Sequence, residues 1–269
     1  MSKRPSNKRP RIKKRGPKRN TPSNFKNEPS EVEGMRLNKY IAHCGISSRR
    51  QAADLIKEGK VMVNDEVQLA PGYQVQLDDV IKFEGEVVQP EEQKVYVLLN
   101  KPKNYITTLK DEKGRKTVMD ILGGKVKERI FPVGRLDRAT TGLLLLTNDG
   151  ELAQKLAHPS NEIKKVYQVE LDRPVSKSDL DQIAKGLELE DGPAPVDQVY
   201  HLRDKPKSEV GIEIHIGRNR IVRRIFESLD YQVVRLDRVY YAGLTKKNLS
   251  RGFFRHLSEQ EVIMLKHFT

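Results

Sequence analysis

The most hydrophobic stretch of this chain is Thr140-Thr-Gly-Leu-Leu-Leu-Leu-Thr147, which reads as a core strand around which the rest must be arranged. The run is far too short to cross a membrane, which takes ~18 consecutive apolar residues, and no other stretch approaches that length. Hydrophobic residues make up 36% of the 269 and charged residues 32%, enough apolar material for a core once any disordered part is set aside. At roughly 100–200 residues per domain, this length predicts one large domain or two smaller ones. From Val95 onward the chain alternates element types. Strands are expected at 95–100, 140–147, 165–171, 196–202, 210–216 and 232–240, with helices at 117–122, 151–158, 176–185, 221–229 and 258–266. Their connections are helical or of hairpin scale and follow no strict βαβ rhythm, so the pattern predicts an α+β domain on a mostly antiparallel sheet.

Charge is unevenly spread. The formal net charge is +13, and residues 1–34 supply +8 of it from 11 Lys/Arg against Glu28, Glu31 and Glu33. This segment has almost no apolar content and cannot bury enough surface to offset its ordering entropy, so it is expected to be a disordered basic tail. Such tails bind polyanions through salt-sensitive, sequence-indifferent phosphate contacts, or serve as solubilisers. No apolar h-region opens the chain, so no secretory signal is expected. The single cysteine, Cys44, cannot form an internal disulfide and excludes any multi-cysteine metal site. The expected location is cytoplasmic.

Between residues 35 and 83 the periodicity gives two short helices and a few short strands. Leu37, Tyr40, Ile41 and Cys44 fall on one helical stripe ending at Gly45. Ser47 or Ser48 then caps a second helix with Ala52, Leu55 and Ile56 on its apolar face and Gly59 at its end. Arg36, Lys39, Arg49 and Arg50 lie off these stripes, on the solvent side. The strings Met35-Arg-Leu-Asn-Lys-Tyr-Ile-Ala, Gly45-Ile-Ser-Ser-Arg-Arg-Gln-Ala and Ile56-Lys-Glu-Gly-Lys-Val-Met-Val-Asn resemble the S4 RNA-binding module. The resemblance implies that those four cations grip RNA phosphates. The polar stretch 84–93 reads as a linker, and 94–269 as a second domain.

Chemistry in that second domain has few candidates. The six His residues are scattered, no metal spacing appears, and there is no phosphate-cradling loop of the P-loop or GxGxxG kind. Asp137 stands out, in a loop rich in Gly, Arg and Thr just before the leucine strand. A carboxylate there is costly unless paired. Read by itself it is either a turn residue capping Ala139 or Thr140, or a functional group.

The whole string Phe131-Pro-Val-Gly-Arg-Leu-Asp-Arg-Ala-Thr-Thr-Gly-Leu-Leu-Leu-Leu-Thr-Asn-Asp-Gly150 resembles the catalytic motif of pseudouridine synthases. Leu99-Asn-Lys-Pro-Lys-Asn-Tyr-Ile-Thr is similar to the segment that opens their catalytic domain, and Lys165-Val-Tyr-Gln-Val to their Lys-x-Tyr-x-Val strand. Gly217-Arg-Asn-Arg-Ile-Val-Arg-Arg resembles the corresponding segment of the RsuA/RluB branch, with Ile221 in place of Gln; Asn104 stands where Gly is usual. The resemblance implies a reaction that breaks the N1–C1′ bond of a uridine, turns the uracil and rejoins it through C5, with no cofactor and no metal. It assigns Asp137 as the carboxylate beside C1′, by attack on the sugar or by taking a C2′ proton. It also assigns Arg223 as the partner of Asp137, Tyr167 as the ring stacked on the uracil, Arg135 as the filler of the gap left by the flipped base, and Arg218 and Arg220 as phosphate clamps. The implied substrate is ribosomal RNA, more like that of the large-subunit (23S) members than the 16S ones, and the protein is expected to be a monomer. A non-catalytic RNA-binding assembly factor on the same scaffold is the competing reading; a DNA-binding protein leaves the central motifs unexplained, and a glycosidase usually wants a second carboxylate.

Overall fold

In the computed structural model, residues 33–91 and 93–267 are described, so the basic tail read at 1–34 lies almost entirely outside the described residues. The first unit opens with α1 (Leu37–His43) and α2 (Arg49–Lys57). A capping box starts α2: Ser48 Oγ accepts from the Gln51 N–H at 3.3 Å while Gln51 Oε1 accepts from the Ser48 N–H at 3.2 Å. Both helices lay their apolar stripes (Leu37, Tyr40, Ile41, Ala52, Ile56) on a small sheet of β1 (Val61–Val63), β2 (Glu66–Val67), β3 (Ile81–Phe83) and β4 (Glu86–Val87), in the order β2-β1-β3-β4. The last strand corrects the sequence reading. Residues 84–85 form the turn of a β3–β4 hairpin, so the module runs on to Val88 and takes half of the stretch read as linker. Cys44 packs against this core, and burial pushes its thiol up to about 12, which suits a structural residue.

The second unit contains β5 (Tyr96–Lys101), α3 (Val118–Leu122), β6 (Phe131–Pro132), β7 (Thr141–Thr147), α4 (Gly150–Ala157), β8 (Lys165–Leu171) and α5 (Lys177–Ala184). These are followed by β9 (Leu187–Leu189), β10 (Gly192–Ala194), β11 (Gln198–His201), β12 (Glu209–Ile214), α6 (Ile221–Glu227), β13 (Val233–Tyr241), β14 (Leu244–Thr245), β15 (Phe254–His256) and α7 (Glu259–His267). The main sheet runs β11-β12-β8-β13-β7-β5-β15, with β6 added to β7 and β14 to β13. Every pairing is antiparallel except β13 with β7. An α+β fold on a mostly antiparallel sheet is what results.

The four leucines explain why β7 is central. Leu144 and Leu146 point into one core, with Val97, Val169, Ile212 and Phe226. Leu143 and Leu145 point into the other, with Leu98, Leu152, Leu156, Tyr241 and Leu265. Successive side chains alternate faces, so a strand apolar at every position must be covered on both sides. At Gly142 the β13 backbone passes so close that an added Cβ would lie 2.5 Å from the Arg238 nitrogen, and φ is +110°. No other residue type fits there without moving a strand.

Candidate active site

A cleft of about 570 Å3 opens where the ends of β7, β8 and β13 meet the start of α6. It brings together Arg135, Asp137, Tyr167, Arg218 and Arg220, residues spread over more than eighty positions of sequence. Asp137 is half-buried. Its backbone carbonyl, not its carboxylate, accepts the Thr140 N–H at 3.0 Å and closes the turn before β7. The carboxylate itself makes no hydrogen bond to a described residue, which answers the side-chain cap considered for it. The loop is pinned from the segment after β5: Thr107 Oγ1 donates to the Leu136 carbonyl at 2.8 Å and the Asn104 N–H to the Arg138 carbonyl at 2.8 Å. Asn104 does this at φ +74°, which accounts for a Gly being usual in that place and for Asn being tolerated. The other departure, Ile221, is apolar because it is buried at the start of α6, on the wall of the cleft.

Two expectations need correction. Arg223 does not ion-pair with Asp137. It projects from the inward face of α6, 7% exposed, and its Nη1 donates to the Val233 carbonyl at 2.9 Å while Nε is buried without a partner. Burial lowers its pKa, Arg220 adds to the lowering, and the charge of Asp137 opposes both, so the two groups feel each other without contact. Arg218 is not a free clamp: its guanidinium donates to Asp191 Oδ1 at 2.9 Å, to the carbonyls of Asp191 and Gly192, and to that of Pro193. With Arg224, which pairs with the same Asp191 at 2.8 Å, it ties the β9–β10 hairpin to the start of α6. Arg135 and Arg220 stay exposed at the rim, Arg220 within 3.2 Å of Glu227.

Sequence reasoning missed three cations, two of them buried and Lys165 half-buried. Lys101, fully buried at the end of β5, donates to the carbonyls of Thr140 (2.8 Å) and Pro102 (3.1 Å). Burial lowers its pKa to about 8, against the opposing charge of Asp137. Lys165 and Arg238 line the cleft on β8 and β13. The available signal was a basic residue at the edge of, or inside, an apolar strand pattern: Lys101 after Val95–Leu99, and Arg238 between Leu236 and Val239.

Arg36, Lys39, Arg49 and Arg50 line a second cleft of about 770 Å3, between the first unit and the second, where Lys94 and Arg129 join them. Lys39 is engaged across that boundary with Glu151 at 3.1 Å. The helix α4 separates the two clefts: Gly150, Glu151 and Gln154 face this second one, Leu156 and Ala157 the cleft that holds Asp137. Among the described residues no cluster of metal-ligating side chains occurs, and no helix is long and apolar enough to cross a membrane.

A sheet with a half-buried loop carboxylate, a buried aromatic and a basic rim, preceded by a basic helix-pair module, defines an enzyme built to act on a polyanion. Comparison with known proteins makes this particular. Residues 95–228 match the family model described as RNA pseudouridylate synthase, and residues 35–81 that of the S4 domain. The chain is 44% identical to the ribosomal large subunit pseudouridine synthase B of Bacillus subtilis (strain 168), covering 86% of this chain and 95% of that one. It is 36% identical to the protein of the same name from Pseudomonas aeruginosa, over 91% of this chain and 64% of the relative. A solved pseudouridylate synthase is similar at a TM-score of 0.60 and 30% identity, covering 86% of this chain and 99% of the other. The chain belongs to the RNA pseudouridine synthase family, isomerases that carry out the reaction expected from its motifs.

Proposed function

We propose that this protein isomerises one or a few uridines of ribosomal RNA, in the large subunit (23S), with Asp137 as the carboxylate beside C1′. The observation that carries the reading is that Asp137 and Tyr167 share one cleft with a basic rim, the carboxylate making no hydrogen bond to a described residue. The two relatives named for the ribosomal large subunit support the choice of RNA. A uridine in folded RNA must leave its stack to reach the cleft, at a cost of a few kcal/mol. Arg135, exposed on the Asp137 loop, fills the gap it leaves. Tyr167 stacks on the freed uracil. Arg220 holds a phosphate at the rim, and Arg218 acts indirectly, by holding the wall that Arg220 stands on. Arg223, from within α6, and Lys101, from the end of β5, set their charges against Asp137 at longer range than an ion pair. Arg36, Arg49 and Arg50 grip the surrounding RNA through phosphates and shape. The protein acts as a cytoplasmic monomer, and isomerisation asks for no cofactor.

Asp137→Asn tests the mechanism. Tritium release from RNA carrying 5-tritiated uridine is expected to vanish while RNA affinity is kept, and activity within about tenfold of wild type would sink the role of Asp137. Carbodiimide mapping of pseudouridine in rRNA from cells with and without the protein tests the target. A signal lost from the large-subunit RNA is expected; one lost only from the small-subunit RNA would overturn that assignment.

A further inference from the structure

Arg238 and Lys165 are the charged groups of the catalytic cleft to which the reaction above gives no task. Arg238 is the register neighbour of Tyr167 on β8 and of Gly142 on β7, and is 3% exposed. Its Nε donates to the Leu143 carbonyl at 2.8 Å, and its guanidinium lies 4.4 Å from the centre of the Tyr241 ring. Its Nη2 is buried and has no hydrogen-bond partner. Lys165 lines the same wall and donates to the carbonyls of Ile163 (2.8 Å) and His215 (2.6 Å). Burial, and then the charge of Arg238, bring its pKa down to about 8. The carboxylate that acts on Lys165, Asp197, is held by His215 Nδ1 at 2.7 Å.

Among the described residues neither cation forms an ion pair. Compare Asp237, one position before Arg238, which is matched by both Lys246 and Arg251. A buried and a half-buried like charge without an ion-pair partner oppose folding, because each is desolvated and each repels the other. Such an arrangement is expected where charge must be met during a reaction.

The isomerisation creates that charge. When the N1–C1′ bond breaks, its electron pair stays with the base, and uracil becomes an anion with charge on O2, N1 and O4. C1′ is taken up by a carboxylate oxygen of Asp137, or is relieved by loss of the C2′ proton to it. The base then turns and C5 bonds to C1′ as the Asp137 oxygen leaves C1′, or as the C2′ proton is returned from its carboxyl; the C5 proton leaves and N1 gains one, so atoms and electrons balance. The negative charge exists only between the two bond changes. A fixed cation at its position stabilises that interval more than the neutral uridine.

We propose that Arg238, supported by Lys165, binds a carbonyl oxygen of the departing uracil anion and is a catalytic residue of the isomerisation alongside Asp137. This rests on the uridine-isomerising reading of the cleft. The test compares Arg238→Met and Arg238→Lys with wild type in single-turnover reactions on the RNA fragment identified by mapping, made with uridine or with 5-fluorouridine at the target. Fluorine makes the base a better leaving anion. Loss of the target nucleoside is read by mass spectrometry of digested RNA.

On uridine, Arg238→Met is expected to be slower by about 10²–10³-fold with RNA affinity retained. On 5-fluorouridine that defect should shrink about tenfold, while Asp137→Asn stays inactive on both. Equal defects on the two substrates, or a rate within about threefold of wild type, would overturn the proposal. Should Arg238→Met not fold, Arg238→Lys decides by the same comparison, and if neither folds Arg238 is structural and the proposal falls. Wild-type protein that consumes no uridine in any rRNA would instead refute the reading of the cleft on which this depends.

Discussion

Gly142→Ala is expected to be among the most damaging single-methyl changes in this protein, for reasons that can be summed from the geometry. The new Cβ would lie 2.5 Å from the Arg238 nitrogen, 2.8 Å from its carbonyl carbon and closer still to its carbonyl oxygen. Carbon atoms pack at ~3.5–4 Å, so β7 and β13 would have to part by about 1 Å. They are paired there only through Thr141 with Asp237 and Gly142 with Arg238, so little ladder remains to resist the parting. Forcing a side chain onto a backbone at φ +110° costs about 1–3 kcal/mol. Overpacking adds about 1–3, and each weakened ladder hydrogen bond about 0.5–1.5. With one such bond weakened the sum is roughly 2.5–7.5 kcal/mol, a large part of the ~5–15 kcal/mol that holds a typical domain. Urea unfolding followed by circular dichroism gives the number as a shift in midpoint at unchanged slope. Turnover should fall beyond the loss of folded protein, because β13 carries Arg238 and β7 begins directly after the Asp137–Thr140 turn. A loss below about 1 kcal/mol would show that the strands separate cheaply and that the close approach does not fix the site.

Stability should also rise with pH just above neutrality. The folded pKa values of Lys101 and Lys165 are lowered to about 8, so from there towards 10.5 the unfolded chain binds more protons than the folded one. Each lysine then contributes a slope of at most ~1.4 kcal/mol per pH unit. Cys44, held up near 12, works in the opposite sense above its ordinary 9, so the rise belongs to the window from about 8 to 9. Midpoints measured across it should be flatter in Lys101→Met than in wild type, and equal slopes would refute the charge-burial account. Exchanging Arg49 and Arg50 for Glu should raise KM and reduce the salt dependence of RNA binding by about one slope unit or more, with kcat at saturating RNA unchanged. A fall in kcat instead would mean that the second cleft takes part in the chemical step.

Most of the second unit was legible in the sequence because its strands and helices are long enough to show their period. Expected helices at 117–122, 151–158, 176–185, 221–229 and 258–266 correspond to α3, α4, α5, α6 and α7 within a residue or two at most ends. What escaped was short. The strands β4, β9, β10, β14 and β15 have two or three residues each and are held by partners distant in sequence or by a hairpin turn, so no local pattern announces them. The positions of Asp137 and Tyr167 could be named from motifs, but not the bonds around them. That Arg223 serves Val233, and Arg218 the β9–β10 hairpin, depends on which carbonyls the tertiary fold leaves within reach.

Those engaged arginines and lysines share a physical cause. A basic excess recruits RNA, but a cation buried in the cleft wall lowers stability unless something satisfies its donors. Here backbone carbonyls do most of that work for Lys101, Lys165 and Arg223. A carbonyl satisfies the donors without neutralising the charge, whereas a carboxylate would cancel the field along with the cost. Asp137, without a hydrogen bond or ion pair to a described residue, thereby faces cations that retain their charge. In a cleft partly shielded from solvent, that is the condition under which the departing base is stabilised.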